Sequence, residues 1–265
     1  MKHSAGEWAL ILGASSGFGA AVSRAVAARG INVCGVHLDR RSTIAAAIET
    51  REACEAAGVE ALFFNANAAD PDKIREIMGD LATRCEAGRL RLVFHSLAFG
   101  ALMPLVGEGP KASATPAQVA MTFDVMASSL VTWTQEAVWR GMAGSGTRVL
   151  AMTSAGSSRA MPSYGMVSAA KAALEAFVRQ LAVELGPRGI TVNALRAGVT
   201  DTPALRKIPG HELMKEAALA LNPGGRLTRP EDVAGLVGLL LEAEAGWISG
   251  TVIGVDGGED IAASA

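Results

Sequence analysis

The sequence predicts an α/β protein in which one doubly wound parallel sheet of about seven strands carries helices on both faces. Three observations predict it. Short apolar runs alternate with longer amphipathic stretches along the whole chain. A glycine-rich turn follows the first apolar run and opens the first amphipathic stretch. No Pro/Gly/Ser-rich linker, low-complexity tract or internal repeat interrupts the alternation, so residues 1–265 read as a single domain.

Composition supports this class and narrows the partners. Apolar residues make up 50% of the chain but aromatics only 5%, and there are 30 glycines, which favours close helix–sheet packing over an aromatic-rich β-sandwich. The formal net charge of −2 comes without a basic patch, so neither nucleic acid nor an anionic membrane surface is expected as a partner. Cys34, Cys54 and Cys85 are odd in number, far apart and not at metal-ligand spacing. They read as buried small apolar residues in a reducing compartment, with no disulfide framework and no metal site. The apolar run near the N-terminus is too short to span a bilayer and no signal peptide is evident, so a cytoplasmic location is the expectation.

The elements follow in order. A strand at Trp8–Leu12 leads into Gly13-Ala14-Ser15-Ser16-Gly17-Phe18-Gly19 and a helix over Gly17–Ala28. Glycines at 13, 17 and 19 allow a tight turn, close approach to a pyrophosphate and intimate helix–sheet packing, while the helix's first amides face the phosphates. Ser15, Ser16 and Phe18 complete that loop. A second strand, Asn32–His37, ends in His37-Leu38-Asp39-Arg40-Arg41 before a helix over Ser42–Ala57. A carboxylate at this point would bind a ribose 2′-hydroxyl, whereas guanidinium groups would pair with a 2′-phosphate, and both residue types are present.

A third strand, Glu60–Asn65, is followed by Asn67-Ala68 and a helix over Asp72–Cys85; a fourth, Leu90–His95, by Ser96-Leu97-Ala98 and a long helix over Pro116–Met142. The fifth strand, Arg148–Thr153, ends at Ser154, and a helix over Ser163–Leu185 follows. After the sixth strand, Ile190–Leu195, come Ala197-Gly198-Val199-Thr200-Asp201-Thr202 and then residues 202–226, with two short helical patches and no strand. Such an insertion suits a lid over a substrate, its apolar Leu205, Leu213, Met214 and Leu219 lining a channel. A helix near Pro230–Leu241 and a last strand, Thr251–Val255, close the fold.

The chain's one tyrosine, Tyr164, precedes Lys171 by seven positions. At about 100° per residue, such positions return to nearly the same helix face two turns on, so the phenol and the ammonium can address one ligand. An ammonium near a phenol favours the phenolate and can also donate to ribose hydroxyls. Ser154 offers a further hydroxyl donor for a carbonyl oxygen.

These landmarks resemble the short-chain dehydrogenase/reductase family over nearly the whole chain, and with it a Rossmann-like fold. The wide glycine spacing of Gly13 and Gly17, the Asn67-Ala68 turn, the segment after the fourth strand, Ala197–Thr202 and the terminal Val255-Asp256-Gly257-Gly258 carry the likeness. Most members place the lysine four residues after the tyrosine, where this chain has Ser168. The wider spacing, the His95-Ser96-Leu97-Ala98-Phe99 segment and Met126 in place of a relay asparagine resemble the enoyl-acyl-carrier-protein reductases, most closely their NADPH-using type III form. Ser154 departs from that pattern, since it stands in the slot of the ordinary catalytic serine, where many enoyl reductases carry a second tyrosine.

The resemblance implies Tyr164, Lys171 and Ser154 as catalytic residues and a cofactor held by Gly13, Ser15, Ser16, Gly17, Phe18, Gly19, His37, Arg40, Arg41, Asn67, Ala68, Ser96, Leu97, Ala98, Lys171, Ala197, Gly198, Val199 and Thr202. NADPH is favoured over NADH, with Arg40 and Arg41 on the 2′-phosphate. Val199 and Thr202 would orient the carboxamide. The implied substrate is a trans-2-enoyl thioester in fatty acid synthesis, on an acyl carrier protein meeting Arg206, Lys207 or Lys215, and the implied assembly is a homotetramer. Two alternatives stay open: a carbonyl reductase, β-ketoacyl reductase or alcohol dehydrogenase using Ser154 and Tyr164, and a non-catalytic dinucleotide-binding protein.

Overall fold

The structure is a computed structural model that describes residues 6–262. Its strands are the apolar runs, because a parallel sheet covered by helices on both faces buries every side chain of a central strand. β1 (Trp8–Leu12) is buried at all five positions. β2 (Asn32–His37), β3 (Ala61–Asn65), β4 (Leu90–His95), β5 (Ala143–Thr153), β6 (Thr191–Ala197) and β7 (Val252–Val255) complete one seven-stranded sheet in the order β3-β2-β1-β4-β5-β6-β7. All six pairings are parallel. The chain reverses its winding between β1 and β4, and the crevice at their carboxyl ends is where such sheets bind ligands.

Two apolar layers hold the sheet. One face packs on α1 (Gly17–Ala27), α2 (Ile44–Ala56) and α8 (Pro230–Leu240) through Ile11, Val22, Val26, Phe94, Leu150 and Val237. The other meets α3 (Pro71–Ala82), α5 (Ser129–Trp139) and α6 (Gly165–Leu185) through Leu10, Met78, Val93, Trp133, Val149 and Leu174. Each fully buried side chain of this size contributes about 1.5–3 kcal/mol relative to exposure. Cys34, Cys54 and Cys85 are free and buried, as read from the sequence.

Helix starts follow local chemistry. Asp70 accepts from the amides of Asp72 and Lys73, and Pro71 supplies the first residue of α3. Thr115 and Gln118 form a reciprocal capping box ahead of α4 (Pro116–Phe123). The helix expected over Pro116–Met142 is broken by a π-helical turn at Asp124–Ser128 between α4 and α5. It stops at Trp139, ahead of a left-handed Gly141 with φ 72°. The helix expected from Ser163 starts instead at Gly165, because Ser163 is itself left-handed, with φ 61°. The insertion between β6 and α8 contains a short 3₁₀ turn at Leu205–Lys207 and α7 (His211–Leu221), with no strand.

Candidate active site

The glycine turn hangs from β2: the amides of Gly13 and Ala14 both donate to the Val36 carbonyl, at 2.8 and 3.1 Å. Gly13 has φ 90°, and a β-carbon there would lie 2.4 Å from the Ser96 carbonyl oxygen. A β-carbon on Gly19 would come within 2.0 Å of the Gly13 carbonyl oxygen, so only glycine lets α1 start this close to β1. Ser16 sits at the N-cap without spending its side chain on a cap bond. The first turn of α1 therefore faces the crevice with a positive dipole end, the environment a pyrophosphate needs. Phe18 packs back onto the core.

The second cofactor subsite differs in detail from the sequence reading. His37 is 5% exposed, and its Nδ1 lies 3.0 Å from Asp39 Oδ2. Burial lowers the imidazole pKa, and the Asp39 carboxylate opposes that shift. Asp39 also receives structural support, its amide donating to Asn65 Oδ1 at 2.9 Å. The carboxylate at the end of β2 is thus engaged by His37, while Arg40 and Arg41 stand exposed beside it. Asn67 is exposed and its Oδ1 accepts from the Ala69 amide at 3.0 Å; Ala68 is buried, its carbonyl taking the Trp133 indole N–H at 2.8 Å.

β4 delivers Ser96, Leu97 and Ala98 to the crevice. Ser96 is tied to β1 by its amide, which donates to the Leu12 carbonyl at 2.9 Å. Lys171 rises from α6 beneath this loop: its Nζ donates to the Met152 carbonyl at 2.7 Å and reaches the Leu97 carbonyl at 3.4 Å. The side chain is 5% exposed, and burial lowers its pKa to about 8, with Glu175 one turn on opposing the shift. Glu175 is itself fixed by the Thr153 hydroxyl at 2.6 Å.

Tyr164 caps the start of α6 and is half-buried, which raises its phenol pKa. The Ser154 hydroxyl lies close enough to pull that pKa back down, yet it completes no hydrogen bond of good geometry among the described residues. A hydroxyl and a phenol side by side are two donors of the kind a carbonyl oxygen accepts. Thr202 closes the floor: its methyl would meet a β-carbon on Gly17 at 3.3 Å, so the loop after β6 touches the glycine turn. Ala197 and Gly198 are half-buried, and the Val199 amide is already held by Glu259.

Other residues around the site had no individual role in the sequence reading, although His95 entered it as part of a segment. His95 is fully buried, its Nε2 paired with Ser129 Oγ at 2.8 Å, and desolvation with the nearby Lys171 charge lowers its pKa to about 3. Gly156 lies against the Tyr164 ring. Leu105 packs against Gly165, where a β-carbon would meet it at 2.8 Å. The insertion at 202–226 encloses less than a lid was expected to: Leu205 is buried, but Leu213 is 71% and Leu219 48% exposed. Arg206 and Lys215 pair with Asp201 and Glu212, whereas Lys207 is exposed. Among the described residues no group of His, Cys, Asp or Glu is placed to hold a metal ion, and no helix is long and apolar enough to cross a membrane.

A glycine turn at the carboxyl end of β1, Tyr164 beside Ser154 at the start of α6, and a buried Lys171 on α6 held by the Met152 and Leu97 carbonyls are the parts of a candidate dinucleotide-dependent oxidoreductase site. Residues 13–259 match the family model described as Enoyl-(Acyl carrier protein) reductase, and the chain belongs to the short-chain dehydrogenase/reductase family, whose fold binds a nicotinamide cofactor. It is 31% identical over 256 residues to the 1-cyclohexenylcarbonyl-CoA reductase of Streptomyces collinus, covering 96% of this chain and 87% of that protein. It is 30% identical over 263 residues to versicolorin reductase stcU of Emericella nidulans, covering 96% and 95%. Among solved structures, a short chain dehydrogenase from Burkholderia cenocepacia in complex with NADP superposes with a TM-score of 0.82 at 28% identity, covering 97% of this chain and 98% of that one. The enoyl-[acyl-carrier-protein] reductase (NADH) of Aquifex aeolicus gives 0.83 at 23% identity, covering 98% and 99%, and shares the fold.

Proposed function

We propose that the protein reduces the carbon–carbon double bond of a trans-2-enoyl thioester with NADPH. The observation that carries the reading is the seven-position separation of Tyr164, at the N-cap of α6, from Lys171 within it, with the lysine pinned by the Met152 and Leu97 carbonyls. When bound, the reduced nicotinamide supplies hydride to the β-carbon of the substrate. Tyr164, kept protonated by its burial, would donate a hydrogen bond to the thioester oxygen as enolate charge develops there, and the enolate would then take a proton from water at its α-carbon to complete the saturated thioester. Lys171 holds the ribose hydroxyls, and the amides at the start of α1 hold the pyrophosphate. The name of the Streptomyces relative describes a thioester conjugated to a ring double bond, which is the same electrophile.

NADPH is proposed because Arg40 and Arg41 are exposed at the end of β2 while the Asp39 carboxylate is occupied by His37. A carrier-protein thioester would meet Lys207, since Arg206 and Lys215 are neutralised by local carboxylates. Assembly as a homotetramer through α4–α5 and α6 is part of the proposal, and Trp139 and Val183, 70% and 74% exposed, are the apolar residues it would cover.

A second reading is favoured by Ser154: a hydroxyl beside Tyr164 also suits a ketone, and the versicolorin and trihydroxynaphthalene reductases are relatives. Crotonyl and acetoacetyl thioesters, each assayed with NADPH and NADH, separate the two. Oxidation of NADPH by the crotonyl thioester is the expected result; turnover of the acetoacetyl thioester alone would establish the ketone reductase instead.

A further inference from the structure

The loop Ala197–Thr202 is gripped by a carboxylate from the segment that follows β7. Both oxygens of Glu259 accept from the Val199 amide, Oε1 at 3.1 Å and Oε2 at 3.2 Å. Gly198 makes the approach possible: a β-carbon there would lie 2.7 Å from Glu259 Oε2 and 2.6 Å from Thr228 Oγ1. The carboxylate is held there against its own electrostatics. Burial raises its pKa most, and Asp256 and Asp260 raise it further, while the Val199 amide and the Asn222 side chain oppose them.

The next residue grips two more segments. Asp260 Oδ1 accepts from Arg159 Nη2 at 2.8 Å, and Oδ2 pairs with Arg196 Nη2 at 2.7 Å. Arg159 belongs to the stretch that runs from Ser154 to Tyr164, and Arg196 lies near the end of β6. Two consecutive acidic side chains therefore hold the loops after β5 and β6 to one short segment beyond β7. A charge-assisted bond to a main-chain amide is stronger than a neutral one, and it fixes a loop whose backbone would otherwise exchange partners with water.

We infer that Glu259 is a positioning residue, one that holds Ala197–Thr202 as a preformed seat for the nicotinamide end of the cofactor. The inference rests on the cofactor reading given above. It concerns one half of the dinucleotide only, since the adenosine end is assigned in the cofactor reading to β2 and α1.

Calorimetric titration of the full chain tests it with three probes: NADPH, NADH and ADP-ribose, which lacks the nicotinamide. Glu259→Ala is expected to weaken the preferred dinucleotide about tenfold, equivalent to about 1.4 kcal/mol, and to leave ADP-ribose within about twofold. Glu259→Gln keeps an oxygen acceptor for the Val199 amide and is expected to recover most of the loss. Unchanged dinucleotide affinity in Glu259→Ala overturns the inference, as does an equal loss for ADP-ribose, which would mark a general structural role. Wild-type protein that binds none of the three probes overturns the cofactor reading itself, a result distinct from either.

Discussion

The ring of Tyr164 packs against Gly156 so closely that a β-carbon on the glycine would lie 2.7 Å from Cε1 and 3.1 Å from Cδ1. Gly156→Ala must therefore displace the phenol. Because misplacing a reacting group by about 1 Å can cost about 100-fold, turnover is expected to fall by about 10- to 100-fold. The cofactor cradle lies elsewhere, so dinucleotide affinity should change less than about threefold. Steady-state kinetics paired with fluorescence titration check this. Wild-type turnover in the variant would show that the ring position is immaterial.

The proposed contact of Lys171 with the ribose predicts that cofactor binding depends on pH. Burial depresses the folded pKa of Lys171 from the usual lysine value of 10.5 to about 8, so the ammonium is lost on raising the pH through about 8. Affinity for the dinucleotide is expected to decline across that point, and Lys171→Arg, which stays charged, should flatten the curve. Stability moves the opposite way. Between about 8 and 10.5 the unfolded chain binds the proton and the folded one does not, so resistance to unfolding rises with pH across that window. Denaturant melts at pH 7.5 and 9.5 read this second effect, and a fall in midpoint attributable to Lys171 would contradict it.

Ser163 holds a left-handed backbone, φ 61°, one residue before Tyr164. For a non-glycine residue this conformation costs about 1–2 kcal/mol, and glycine's larger loss of chain entropy returns about 0.5–1 kcal/mol of that advantage. Ser163→Gly is expected to stabilise the fold by roughly 0.5–1 kcal/mol. Ser163→Val, β-branched, should destabilise it. Thermal denaturation of the two variants decides, and a stabilised valine variant would refute the strain.

Cofactor choice is tested at the end of β2. Removing Arg40 and Arg41 together should lower affinity for NADPH about tenfold or more and leave NADH nearly unchanged, since only the former carries a 2′-phosphate. Equal losses for both would place the arginines outside the phosphate site. Asp39→Asn, which also loosens His37, should affect NADH more than NADPH if the carboxylate reaches a ribose hydroxyl.

The regularities of the chain were legible because they are local. Buried strands such as Trp8–Leu12 announce themselves as unbroken apolar runs, and Gly13 and Gly19 stand at the spacing a close helix–sheet contact demands. The insertion between β6 and α8 shows as two helical patches without a strand. What escaped depends on neighbours distant in sequence. Asp39 is one charge in the run after β2 until β3 lies alongside and Asn65, 26 residues on, takes its amide hydrogen bond. Glu259 is one carboxylate among many until β6 and β7 become adjacent and bring it to Val199. The expected channel residues Leu213 and Leu219 share a helix whose apolar positions do not all face inward. The break in the long helix carries no proline or glycine to announce it, since Asp124-Val125-Met126-Ala127-Ser128 is ordinary helical sequence.

That π-helical turn gives the helix a place to absorb an indel. A single wide turn accommodates one residue beyond the regular ladder while the flanking turns keep their facing. Beyond it, Ser129 reaches His95 and the Trp133 indole reaches the Ala68 carbonyl. Loss of one residue from 124–128 would let the ladder close into an unbroken α-helix with both of those partnerships intact. The same deletion a turn later, within α5, would swing everything after it by about 100° and bring Trp133 out of the core.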